Sequence, residues 1–236
     1  MGTMPIGRLL VAMSVPMMIS MFVQALYNMV DSMFVSMISE NALTAVSLAF
    51  PMQTVMNAVA VGTGVGVSAM VSRSLGRGDR ESANRAANVQ VLLSAIYSLA
   101  AIFIGLAFSR TFYTHQTDVA EIVAYGEDYM RIVCVFSFGL FYGQNFEKLL
   151  VATGSSTPSM ISQALGAVVN IVLDPVLIFG LGPFPAMGVR GAAVATVLGQ
   201  AIAALAALAF NLCFNSATRF SLRAMLPDRA TLGGIY

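Results

Sequence analysis

Six stretches of this chain are long and apolar enough to cross a bilayer, and no other feature constrains its fold as much. They run over about 9–39, 42–71, 87–108, 123–151, 160–181 and 187–214, each at or above the roughly 20 residues that a spanning helix needs. Backbone groups in lipid must be satisfied within the protein, so helices are expected and an open sheet is not. Only 10% of the 236 residues are charged and the mean hydropathy is +0.81, where a soluble domain carries roughly 25% charge. The expected fold class is all-α, a polytopic membrane helix bundle of about six spans over 1–214, followed by a polar, basic linker over 215–236. A signal peptide after Arg8 is not expected, because the apolar run continues too far and no small-x-small cleavage site follows it.

The net charge of +1 gives no reason to expect a nucleic-acid partner. The placement of charge is more informative than its sum. Alternating loops put Arg8, Arg73, Arg77, Arg80, Arg85, Lys148, Arg219, Arg223 and Arg229 on one side, and leave Arg110, Arg131 and Arg190 near the other. The positive-inside rule then places both termini in the cytoplasm, as expected of a multi-pass protein of a bacterial or archaeal cell membrane. Glu40, Asp118, Glu121, Glu127 and Asp128 fall toward the outside, and Arg131 is expected to pair with Glu127 or Asp128 one turn earlier. Cys134 and Cys213 sit in apolar runs and form no disulfide or metal framework. His115 reads as a loop residue. Gly62-Thr63-Gly64-Val65-Gly66 is not a dinucleotide loop, because no strand precedes it; Gly62 and Gly66 are expected to form a small-residue face for helix packing. No hydrolase elbow, zinc helix or P-loop occurs, so the chain is not expected to be an enzyme and no cofactor is expected.

Ionisable residues inside spans are costly and mark function by default. Asp31 and Asp174 are the two acids placed deep in this way. Gln24, Asn28 and Asp31 fall at i, i+4 and i+7 on one face of the first span, and Met17 and Met21 extend that face. Gln163, Asn170 and Asp174 share a face of the fifth span, and Pro175 follows at once, freeing a carbonyl one turn earlier. At about 1.5 Å per residue, Asp31, Asp174 and Thr196 reach a common depth of roughly 10–12 Å from the outer surface. Two carboxyls, the Asn170 amide oxygen and the Thr196 hydroxyl form a hard-oxygen set suited to Na⁺ or to a shared proton. The expected ion site, and metal site if the ion is Na⁺, is therefore Asp31, Asn170, Asp174 and Thr196. Met17, Met21, Gln24, Asn28 and Gln163 are the expected substrate-cavity residues, methionine contributing an adaptable surface.

Three stretches resemble the MATE (multidrug and toxic compound extrusion) transporters. The first is Tyr27-Asn28-Met29-Val30-Asp31-Ser32-Met33-Phe34-Val35. The second runs from Pro51 through Gly62-Thr63-Gly64 to Ser72-Arg73-Ser74-Leu75-Gly76-Arg77-Gly78-Asp79. The third is Asn170-Ile171-Val172-Leu173-Asp174-Pro175 followed by Gly188-Val189-Arg190-Gly191-Ala192-Ala193-Val194-Ala195-Thr196. The resemblance implies one six-helix lobe of a two-lobe transporter, with the end Leu232-Gly233-Gly234-Ile235-Tyr236 similar to a lead-in toward a second lobe. It also implies antiport, Na⁺ or H⁺ entering as drugs or other small amphipathic organic cations leave, and it maps the first-lobe cation site to Asp31, Asn170, Asp174 and Thr196. The implied partners are the lipid bilayer, the cationic substrate and a second six-helix lobe, covalent or supplied by a dimer. Two alternatives stand beside multidrug efflux. A lipid-linked oligosaccharide flippase would need deep basic residues, which the spans lack. A non-transporting membrane subunit would need none of this chemistry.

Overall fold

The computed structural model describes residues 6–215, apart from the side chains of Ile6 and Leu9. The expected linker over 215–236 thus lies outside the described residues except for Asn215, which is buried and bonded to Asn211 rather than free.

Seven helices follow one another: α1 (Ile6–Ser36), α2 (Glu40–Gly76), α3 (Arg80–Thr114), α4 (Ala120–Val135), α5 (Phe138–Ala152), α6 (Ser156–Phe179) and α7 (Val189–Phe214). No strand occurs among the described residues. Of these, α1, α2, α3, α6 and α7 are long and apolar enough to cross a membrane singly. The expected fourth span is divided into α4 and α5. Phe136 (φ −101°, ψ 24°) and Ser137 (φ −63°, ψ −7°) stay near the helical region, so the path continues while its hydrogen-bond ladder tightens locally. At about 1.5 Å per residue neither half alone covers a 30 Å core.

Caps explain why several helices outrun the apolar stretches. The Ser39 hydroxyl accepts from the Ala42 N–H at 3.0 Å and starts α2; the Asp79 carboxylate accepts from the Ser82 N–H at 3.0 Å and starts α3 at Arg80, well before the apolar run. Hydrogen bonding to the Ser82 N–H holds the Asp79 carboxyl below its ordinary value. At the other end, Gly180 closes α6 in the left-handed region (φ 72°). The following loop folds back, with Met187 N–H donating to Leu177 O at 2.9 Å and Gly188 N–H to Ile178 O at 3.1 Å.

Helix α6 packs most extensively on α7, and α1 leans mainly on α6. Apolar burial centres on Val35, Ala49, Met56, Tyr129, Met130 and Phe141, with the Tyr113 hydroxyl donating to Ala45 O at 2.8 Å across the bundle. Large side chains such as Leu99, Phe103, Leu205 and Leu212 are exposed, the arrangement expected where acyl chains replace water as solvent. Of the expected Gly62/Gly66 packing face, Gly62 is exposed and makes no helix contact. A Cβ on Gly62 would meet open space, whereas one on Gly64 would lie 2.8 Å from Lys148 Cγ of α5. The helix phase set by the bundle turns Gly64 inward and Gly62 outward.

Candidate ion and substrate site

Asp31 on α1 and Asp174 on α6 are both buried, Asp174 completely. The contact of α1 with α6 brings their carboxyls within side-chain hydrogen-bonding reach of one another. The Tyr27 phenol, one turn before Asp31, lies close to both acids. Asn170 is 2% exposed and spans the gap from α6 to α7. With its nitrogen toward Asp174 it donates to Oδ2 at 3.1 Å, and its oxygen accepts the Thr196 N–H at 3.2 Å. The structure therefore brings Asp31, Asp174, Asn170 and Thr196 together. Asp31 Oδ1 and Thr196 Oγ1 are buried without a hydrogen-bond partner in the protein. Two carboxyls, one with an orphan oxygen, beside an orphan hydroxyl suit a small hard cation or a proton. No cluster of three or more His, Cys, Asp or Glu occurs among the described residues, so a soft transition-metal site has no support there.

Helix α6 continues through Pro175 to Phe179. Pro175 still removes one donor, but the tight α6–α7 packing keeps the helix going.

Beside the acids lies a cavity of about 290 Å³. Its lining includes Gln24, Asn28, Gln163, Asn170 and Thr196 from the expected sets. Asp31 and Asp174 do not line it; they sit behind Asn170 and Thr196. Met17 and Met21 lie outside it as well and are 38% and 70% exposed. They share the face of Asp31 along α1, but only Asp31 and Val35 are buried among the described side chains of α1. The first half of that helix is largely exposed among the described residues, so the face shared with Asp31 does not bring the two methionines to this cavity.

Several lining residues escaped the sequence reading: Tyr27, Gln53, Asn57, Gln144, Glu147 and Gln200. Periodicity offered signals for some. Tyr27 precedes Asp31 by one turn, Gln53 and Asn57 are a turn apart, and Gln200 follows Thr196 by a turn. Glu147 was hidden by Lys148, whose charge reads as the membrane boundary. Elsewhere on α4, Arg131 pairs with Glu127 at 2.7 Å, as expected, and Arg190 of α7 reaches Asp128 at 2.8 Å.

A family model described as MatE matches residues 16–176. The chain is 32% identical to a "FAD transporter" of Shewanella oneidensis over 84% of its own length and 44% of that protein's. It is 30% identical to "Probable multidrug resistance protein NorM" of Thermotoga maritima, over 84% and 43%. A solved "outward-facing conformation of a multidrug resistance MATE family transporter of the MOP superfamily" superposes with a TM-score of 0.85 at 32% identity, covering 96% of this chain and 50% of that one. The chain thus spans about half the length of the relatives it matches.

Proposed function

The chain belongs to the MatE family, and from that premise we propose that residues 1–214 form one lobe of a cation-coupled antiporter that exports organic cations. The observation that carries the reading is the buried acid pair, Asp31 and Asp174, with Asp31 Oδ1 unpartnered and the orphan hydroxyl of Thr196 beside the pair. Two carboxyls this close repel when both are ionised, so a proton or a small cation between them stabilises the contact of α1 with α6. Emptying the site favours separation of those helices. Coupling follows if the two conformations of the whole transporter differ in affinity for the ion. Asn170 ties Asp174 to the α7 backbone, so movement at the acids reaches the cavity wall at Thr196.

Two features support an organic cation as the cargo. The cavity is rich in amides, and no Lys or Arg occurs among the described residues that line it. The Shewanella oneidensis relative is named for FAD, but an anionic dinucleotide would find no counter-charge here. The same lack weighs against a pyrophosphate-linked flippase substrate. The positive-inside distribution places the Arg77-Gly78-Asp79 turn in the cytoplasm, with the acid pair toward the outside. Na⁺ or H⁺ serves as coupling ion, and a second six-helix lobe supplies the facing wall.

The test uses the two-lobe transporter carrying this lobe, reconstituted in vesicles with a cation gradient. Asp174→Asn keeps the side-chain volume but removes one titratable oxygen. Gradient-driven efflux of a cationic dye should fall to background while the protein still folds and inserts. Unchanged efflux would move the coupling site elsewhere.

A further inference from the structure

Glu147 is the one carboxylate among the described residues lining the cavity. It is 7% exposed and lies on the face of α5 that also presents Gly139, Leu140, Gly143 and Gln144 to the same space. Gln163 Nε2 donates to its Oε2 at 3.5 Å. Along α6, Gln163 precedes Asp174 by eleven residues, which is about 16 Å of helix. The cavity therefore has two distinct poles. Asn170 and Thr196 cover the acid pair at one, and Glu147 stands with Gln163 at the other.

The backbone beneath Glu147 is held from two sides. Gln90 of α3 donates to Asn145 O at 3.0 Å, and Asn211 of α7 donates to Phe146 O at 2.9 Å. Asn145 itself bonds Ser94. Two buried amides thus pin the turn of α5 that aims Glu147 into the cavity. The adjacent Lys148 packs its stem against Gly64 of α2 and is not part of the lining. One turn past Thr196 on α7, the Oε1 of Gln200 is a buried acceptor without a partner in the same cavity. A carboxylate and an orphan acceptor in one cavity call for a positively charged ligand that donates hydrogen bonds.

We propose that Glu147, assisted by Gln163, recognises the ammonium centre of an organic cation at a subsite separate from the Asp31–Asp174 pair. The inference rests on the reading that this cavity takes organic cations. It adds that cargo and coupling ion use different carboxylates, so they communicate through α6 and α7 rather than by competing for one acid.

The experiment measures binding by isothermal titration to the purified full-length protein without an ion gradient. The probes are 4-phenylbenzylammonium and its neutral isostere 4-biphenylmethanol, which differ in charge and hardly in shape. Wild-type protein should prefer the ammonium by about ten- to a hundredfold, the range of a charge-assisted hydrogen bond. Glu147→Gln should erase that preference while leaving alcohol affinity within about twofold of wild type. Glu147→Asp should restore part of it. Glu81→Gln, an exposed acid on α3, should change neither affinity. If Glu147→Gln does not fold, Gln163→Leu carries the test, because losing the amide beside Glu147 should weaken the ammonium more than the alcohol. A preference retained by Glu147→Gln, equal weakening of both probes by Gln163→Leu, or no preference in wild type overturns the proposal. Unchanged coupled efflux in Asp174→Asn would instead sink the coupling reading and leave this subsite standing.

Discussion

The Thr196 hydroxyl is buried and has no protein partner, although the residue's backbone N–H bonds the Asn170 amide that holds Asp174. An unsatisfied buried hydroxyl costs about 1–3 kcal/mol. Replacing Thr196 by Val removes that group at nearly constant shape. In buffer free of Na⁺, thermal stability should therefore hold or rise by up to about 1 kcal/mol. Stabilisation by added Na⁺, which wild type should show if the oxygens hold that ion, should disappear. A Na⁺-dependent shift of melting temperature that survives Thr196→Val would take the hydroxyl out of the site. The same residue scale separates what pattern can and cannot reveal. Asp31 and Asp174 stand out because each interrupts a long apolar run. Glu147 does not, because Lys148 beside it makes both charges look like the end of a span.

At the scale of elements, α6 and α7 form the most extensive pairing and approach backbone to backbone. A Cβ on Gly199 would lie 2.7 Å from Gly166 O, and one on Gly166 would lie 2.7 Å from Gly199 O. These are backbone atoms, which cannot rotate away. Small residues let helices approach in this way where no hydrophobic effect drives them together. Gly199→Ala should push α7 from α6 and destabilise the lobe by about 1–3 kcal/mol. Gly62→Ala should be neutral or stabilising by about 0.5–1 kcal/mol, since Ala is the better helix former and nothing opposes it. Thermal unfolding in detergent would compare the two, and equal effects would contradict the packing described here. The Gly199 change should also disturb Asn170, whose Cβ lies 3.1 Å from the added atom. Packing and ion site are thus linked through one contact.

The whole molecule is a multi-pass membrane protein with an incompletely covered wall. Helix α1 carries the polar stripe Gln24, Tyr27 and Asn28 into the cavity, yet Leu10, Met18, Met21 and Phe22 are exposed. Membership of the MatE family and the half-length coverage of relatives fit a single lobe, and a facing lobe would close the cavity. Orientation has a direct check. The α2–α3 turn at Gly78 and the α3–α4 turn at Thr117 cap opposite ends of α3, whose 35 residues span about 52 Å. Single cysteines placed at 78 and 117, with Cys213 replaced by Ser, should label from the cytoplasm and from outside respectively. Labelling of both from one side would refute the six-pass topology, and exchanged sides would refute the positive-inside assignment.

The sequence by itself determined the solvent, the class of element and the approximate limits of the spans, because those depend on composition and on lengths set by the bilayer. It also marked Asp31, Asn170, Asp174 and Thr196 as belonging together. Their residue types are expensive in lipid, and helical rise puts them at one depth. What it could not decide was helix rotation and pairing. Rotation turned Gly64 rather than Gly62 to a neighbour and left Met17 and Met21 outside the cavity. Pairing set Glu147 opposite Gln163 and placed the acid pair behind the cavity wall rather than in it. A single helix has a well-defined polar face but no record of what stands across from it; that is fixed only when close-packed helices exclude every other rotation.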